Sequence, residues 1–318
     1  MRIEKNVLFG IDDSDFARQA LVGIGGLLRN SRDIKMTLFH GATDPNLPLL
    51  SKVLSLSPEA TEKHQKLWSL EAQKVLERAK EALTESGFDP DMMSTIFEKK
   101  CSDPASSMLK LAGSEGIETL AVARWGKTSV SRQVMGSVTY RLAQMADNLA
   151  LWVIEPRICY HNVLVGLVEA PISHRVVDHA ARYFSHLRES RFTLFHVIPP
   201  EPPQCWNSAG IIDKEGPEEH HKKIAGWLKE YTERVKEIAI EAKEKLIKAG
   251  VPEQNVVFKF QRQERGIARD ILAELELGNN GILVIGRKGS KDIREFGLGS
   301  KANKLLHSAR AFIVCLVR

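Results

Sequence analysis

The chain has 318 residues, 43% hydrophobic and 27% charged, and its 45 basic and 40 acidic side chains leave a net charge of +5. This is the balance of a folded globular protein with room for two domains of roughly 150 residues, and it excludes disordered, collagenous and membrane-bundle chains. The small basic excess suits anionic small ligands; with no aromatic stacking platform beside it, nucleic acid is not expected.

The first strand is expected at Val7 to Ile11, an apolar run too short for a signal peptide or an anchor. Cys101, Cys159, Cys205 and Cys315 lie far apart and form no CxxC pair. Reduced thiols in a cytoplasmic protein without membrane contact are therefore expected. Further strands are expected at Met36 to His40, Met93 to Glu98, Thr119 to Ala123 and Leu151 to Ile154. Ser57-Pro58-Glu59 supplies a cap, a first-position proline and an acidic first turn for a long helix reaching about Ser86, and Gly87 stops it. Asp103-Pro104 opens another helix in the same way. Further along, a long helix from about Pro217 to Ala249 ends at Gly250, and a shorter one follows Gly266. Trp68, Leu70, Val75, Leu76 and Leu83 on the first long helix, and Ile224, Trp227, Leu228, Tyr231, Val235 and Ile238 on the second, are expected to pack on a sheet.

The order of these elements repeats. Asn6-Val7-Leu8 recurs as Asn162-Val163-Leu164, and Thr37-Leu38-Phe39-His40 as Thr193-Leu194-Phe195-His196, both 156 residues later. Thr119 to Gly126 and Gly136-Ser137 recur as Ile282 to Gly289 and Gly299-Ser300, both 163 residues later, so about seven residues are inserted in the second copy. The expected domains are residues 1–156 and 157–318. Apolar strands alternating with helices indicate an α/β chain of two tandem doubly wound domains, each a five-stranded, mostly parallel sheet with helices on both faces. Ligands of such sheets sit beyond the carboxyl ends of the strands, at the switch in strand order.

After the fourth strand of the second half comes Gly286-Arg287-Lys288-Gly289, nine residues, and Gly299-Ser300 opening a helix. Glycines allow close backbone approach, and free amides at a helix start favour phosphate. Between Gly286 and Lys304 six basic residues face Asp292 and Glu295, a local +4. The first half has Ala123-Arg124-Trp125-Gly126, nine residues, and Gly136-Ser137-Val138-Thr139; Arg124, Lys127, Arg132 and Arg141 also make +4, with no acid in the window.

This G-x2-G-x9-G-[ST] spacing, with Asp12 in Phe9-Gly10-Ile11-Asp12-Asp13-Ser14, resembles the universal stress protein family in its tandem form over nearly the whole chain. The resemblance implies an adenine nucleotide alpha hydrolase-like, Rossmann-like fold. It also implies an adenine nucleotide (ATP, ADP or AMP) as a regulatory ligand in stress response or signalling, with magnesium only alongside the nucleotide. The contacts it implies are Val197, Gly286, Arg287, Gly289, Gly299 and Ser300 in the second half. In the first they are Asp12, Gly126, Gly136, Ser137 and Val138. Neither half matches completely: Ala123 replaces the leading glycine of the first, and Val168 stands at the place of Asp12 in the second, with Glu169 beside it. The glycines tilt the expectation towards the second half. The resemblance also implies pairing of the two domains through their last strands; a homodimer and an unidentified protein partner are left open.

No catalytic residue emerges, so a slow ATPase or nucleotidyl transferase is the alternative, as is an interaction protein with degenerate sites. P-loop-like segments at Ala121 and Gly281 are strand-like where a loop is needed, and the dinucleotide-like Gly297-Leu298-Gly299 follows no strand. His220-His221 and the group His174, His179, His186 lack the spacing of a shared metal face. His40 and His196, each ending a second strand, are expected to bridge backbone groups.

Overall fold

The computed structural model describes residues 5–44, 57–127, 135–155, 162–200, 217–288 and 297–318. The chain divides into two compact units, Met1–Cys159 and Tyr160–Arg318.

In the first unit the strands are β1 (Lys5–Gly10), β2 (Ile34–Ala42), β3 (Met93–Lys99), β4 (Thr119–Ala123) and β5 (Ala150–Ile154). All pair in parallel in the order β3-β2-β1-β4-β5, with Val7 beside both Met36 and Thr119. β1 therefore lies at the switch in strand order. Parallel strands buried on both faces need apolar side chains throughout. Accordingly Val7, Leu8, Phe9, Leu120, Ala121, Leu151 and Val153 are fully buried. The helices are α1 (Asp15–Leu28), α2 (Pro58–Glu85), α3 (Pro104–Glu115) and α4 (Ser137–Met145). α1 packs on α2, and α3 on α4.

Ser57 caps α2 through its hydroxyl, Pro58 occupies the first turn, and Gly87 beyond the end has φ +93°. One face residue differs from expectation: Leu70 points outward and is 55% exposed, while Ala72, Val75, Leu76, Ala79 and Leu83 form the buried stripe. Leu70 falls outside the i, i+3, i+4, i+7 ladder that these five define.

The second unit repeats the plan with β6 (Asn162–Gly166), β7 (Phe192–Ile198), β8 (Val256–Arg262), β9 (Asn280–Gly286) and β10 (Ile313–Val317). They are all parallel, in the order β8-β7-β6-β9-β10. Its helices are α5 (Ile172–Phe184), α6 (Pro217–Lys248), α7 (Ile267–Leu277) and α8 (Ser300–Ser308). Gly250, just past α6, has φ +104°.

His179 belongs to the α5 core, against the rings of Tyr183 and Phe184. Burial, aided by Arg182, lowers its pKa from 6.5 to about 3. A histidine held neutral by folding binds its proton more readily when unfolded, so the stability it permits is full above about pH 6.5 and is lost as pH falls towards 3. Between pH 7 and pH 5 the second unit should lose about 2 kcal/mol from this group. Thermal melts of wild type and His179→Phe at the two pH values test this; an equal pH dependence in both would refute it. Among the described residues no group of three His, Cys, Asp or Glu side chains converges on a metal position. No helix among them is long and apolar enough to cross a membrane.

Candidate functional site

In the first unit the loop after β1 is fixed from two sides. Ile11 donates its amide to the Phe39 carbonyl (2.8 Å), and His40 Nδ1 lies 2.8 Å from the Ile11 carbonyl, so it is the donor there. His40 thus bonds one backbone group, the Ile11 carbonyl. The next residue, Asp12, joins the loop after β1 to the loop after β4. Its Oδ1 accepts from the amide and hydroxyl of Ser14, the residue whose side chain also caps α1. Its Oδ2 accepts from the Lys127 amide at 2.7 Å.

The glycine segment is shaped around that carboxylate. A Cβ on Gly126 would stand 2.5 Å from Asp12 Oδ2, so only glycine permits the approach. Gly136 donates its amide to the Arg124 carbonyl (2.9 Å), and Thr139 Oγ1 donates to the Ala123 carbonyl (2.8 Å). These bonds bring the start of α4 to the ends of β1 and β4. Gly136 caps α4 without a side-chain hydrogen bond, which leaves the first amides of the helix to a ligand or to water. Ala123 is not among the residues of positive φ, so alanine sits in the leading position without backbone strain.

A cavity of about 110 Å³ opens at this point. Asp12, Gly126, Gly136, Ser137 and Val138 all line it, together with Ala123 and Trp125. Its other wall comes from Phe39, Gly41, Pro104 and Met108, which sequence reasoning missed. Only the helix start at Asp103-Pro104 hinted at that wall. A Cβ on Gly41 would lie 2.5 Å from Cys101 Sγ, so the sulfur occupies space that a larger residue would need. Burial raises the pKa of the Cys101 thiol.

Two ion pairs join the elements that frame the site. Arg124 Nε lies 3.2 Å from Glu155 Oε2, both side chains almost fully buried. An Arg141 guanidinium nitrogen lies 2.7 Å from Asp103 Oδ2. The Ser106 hydroxyl, and then Arg141, lower the pKa of the Asp103 carboxyl.

The second unit has the same framework with different contents. His196 Nδ1 meets the Leu167 carbonyl at 2.8 Å, Arg287 donates its amide to Val317, and Gly299 donates its own to Arg287. Ser300 begins α8, and Val197 is buried in β7. Gly289 lies outside the described residues. A Cβ on Gly286 would come 2.6 Å from Ile172 Cγ1, so this glycine makes room for the first residue of α5.

Among the described residues of the second unit, no carboxylate stands in the place of Asp12. Glu169 pairs with Arg234 of α6, and Asp13 pairs with Arg78 of α2; both partners differ by the same 156 residues. Glu169 therefore corresponds to Asp13. At Val168, the true counterpart of Asp12, the backbone closes locally: its amide donates to Ser173 Oγ (2.8 Å), whose hydroxyl donates to the Val168 carbonyl (2.6 Å). Beside this loop, Tyr231 Oη lies 3.0 Å from His196 Nε2. Burial lowers the His196 pKa and raises that of Tyr231 to about 12, so the ring is neutral and the phenol donates to it.

Comparison with known proteins gives one family. Its model, the universal stress protein family, matches residues 4–148 and again 160–315. Among solved structures, a universal stress protein from Archaeoglobus fulgidus is 14% identical with a TM-score of 0.63, covering 98% of this chain and 97% of that one. A protein described as a putative universal stress protein from Pseudomonas aeruginosa is 11% identical, with a TM-score of 0.57 over 99% of this chain and 93% of that one. A functionally unknown Pseudomonas aeruginosa protein is 12% identical, with a TM-score of 0.58 over 99% and 92%. At these identities the likeness is one of fold. No curated protein matches the chain.

Proposed function

The chain belongs to the universal stress protein family, with one family domain in each half, and from that premise we propose that its first unit binds an adenine nucleotide as a regulatory ligand. One observation carries the reading: the cavity beyond β1 and β4 is lined jointly by Asp12, Gly126, Gly136, Ser137 and Val138. It lies at the switch in strand order, where doubly wound sheets bind ligands. Phe39, Met108 and Trp125 give it apolar walls suited to a base. Asp12 can accept from a ribose hydroxyl, and the uncapped start of α4 can hold a phosphate.

A ligand touching both Asp12 and α4 would favour the arrangement in which the β1 and β4 loops are held together. It would act by population shift, on a surface that a protein partner reads. Magnesium would arrive only with the nucleotide, and the setting would be a cytoplasmic stress or signalling response. The second unit keeps the backbone framework without the carboxylate, which favours the first unit as the binding half.

Isothermal titration of the purified, nucleotide-stripped protein with adenosine, AMP, ADP and ATP tests the reading. Binding that Asp12→Ala weakens at least tenfold is expected. No detectable binding of any of the four would overturn it.

A further inference from the structure

We propose that the outer edge of β8 pairs the chain with a second copy of itself, strand against strand and antiparallel, about a twofold axis at Phe258.

β8 ends the sheet of the second unit. It pairs with β7 on one side, and among the described residues no strand pairs with its other side. An edge strand offers a row of free amides and carbonyls, which folded proteins normally blunt with polar or charged side chains. The first unit does so. Its edge strand, β3, corresponds to β8 at an offset of 163 residues, since Met93 lies beside Met36 as Val256 lies beside Phe192. There Ser94 Oγ bonds Thr37 Oγ1 at 2.9 Å, and Thr95 is exposed. In β8 the same two places hold Val257 and Phe258, 36% and 39% exposed.

The neighbouring helix has changed in step. Gly87 and Gly250, which follow α2 and α6, keep the same offset of 163, so Ile240 stands where α2 has Glu77. Ile240 is 53% exposed. It lies three residues before Lys243, on the same side of the helix. Lys243 Nζ is 6.0 Å from the centre of the Phe258 ring, which places Ile240 on the flank of α6 beside the strand edge. Phe260, stacked on Phe258 at 6.5 Å between centroids, continues the strip. Val257, Phe258 and Ile240 are thus apolar and exposed where the other copy of the same fold is polar. The core of the unit does not require that change, and an interface does.

The strip fits a second copy. When two β8 strands run antiparallel about Phe258, residues directly opposite share a face. Phe258 then meets Phe258, Val256 meets Phe260, and Val257 meets Lys259. Charge allows this register. Lys259 is paired with Glu274 of α7, Lys243 with Glu253, and Arg262 falls opposite Gln254, so no unpaired like charges meet. A register centred on Lys259 would set two lysines against each other. A contact that uses the same patch on both copies closes at two.

Sedimentation equilibrium of the full-length protein, from low to high micromolar concentration, tests the proposal. Wild type should move reversibly between the 35.6 kDa chain and its dimer. Val257→Ser with Phe258→Thr, which gives β8 the residues of β3, should weaken the dimer about a hundredfold and leave the thermal melt unchanged. Two single variants test the register. Val257→Glu sets a carboxylate opposite Lys259 and should keep the dimer within about threefold of wild type, whereas Phe258→Glu sets two carboxylates against each other and should abolish it. A wild type that stays monomeric throughout would overturn the proposal, as would a dimer that the double variant leaves intact. Equal losses in the two glutamate variants would overturn the pairing about Phe258.

Discussion

Gly126→Val is expected to reduce adenosine or AMP binding by about a hundredfold or more, equivalent to about 2.7 kcal/mol, while the protein remains folded. The reason is local: any Cβ at this position stands 2.5 Å from Asp12 Oδ2. Either the carboxylate releases the Lys127 amide or the segment lifts away from β1, and both outcomes change the cavity. Even Gly126→Ala should show a large part of the loss. Gly126→Ala and Asp12→Ala should also be non-additive, because both remove the same contact. Gly136→Ala provides the contrast. A Cβ there would meet the Arg124 carbonyl and the Gly126 amide at 3.5 Å and Thr139 Oγ1 at 3.6 Å, which are ordinary contacts. It should bind within about threefold of wild type. Isothermal titration separates the two cases; equal effects at the two glycines would contradict the role given to Asp12.

Glu155→Ala is expected to cost about 3–5 kcal/mol, because it strands Arg124 in a buried position without its carboxylate. For a unit of this size that corresponds to a fall of roughly 10 °C in its calorimetric transition. The pair need not be stabilising in itself, since the cost of desolvating two charges offsets most of their attraction. The double replacement Arg124→Met with Glu155→Leu should therefore be less destabilising than Glu155→Ala alone. A fall of under 2 °C for Glu155→Ala would show that Arg124 is held adequately by its other neighbours.

Most of the fold is legible because strands buried on both faces must be apolar throughout, and because duplication prints the pattern twice. The strand expected at Thr119 to Ala123 agrees with β4 to the residue, and Gly87 and Gly250 fall where the chain takes positive φ. Helix α1 is not anticipated. Its sequence DFARQALVGIGGLL carries three glycines, which are poor helix formers, and only Asp15, Arg18 and Gln19 as polar side chains, so it does not read as a helix. Its N-cap, Ser14, lies inside the Asp12 segment and reads in sequence only as part of that motif.

The site is legible in part. The family resemblance picks out Asp12, Gly126, Gly136, Ser137 and Val138, and all five line one cavity. Phe39, Pro104 and Met108 escape it: the sequence marks Phe39 as strand and Pro104 as a helix start, and neither mark points to a ligand. They reach the cavity because a parallel sheet gathers the carboxyl ends of separate strands. The same geometry explains the charge. A window from Ala123 to Arg141 reads as purely basic, yet the acids that answer it, Asp12, Asp103 and Glu155, come from other segments. In sequence Glu169 resembles a displaced Asp12; its pairing with Arg234, matching that of Asp13 with Arg78, shows that it is not.

The contact between Ile172 and Gly286 bears on how the two copies diverged. Once an isoleucine leans on that glycine, any larger residue there is opposed by packing, whatever the second unit binds. Packing against Ile172 is then enough by itself to hold a glycine at this position. Re-creating in the second unit a site like that of the first would require changing Ile172, Ser173 and Val168 together, and single changes along that path leave either a clash or an unbonded amide. The duplication behaves in this respect as a ratchet: a contact made within one copy opposes a later change at that glycine, whatever the copy binds.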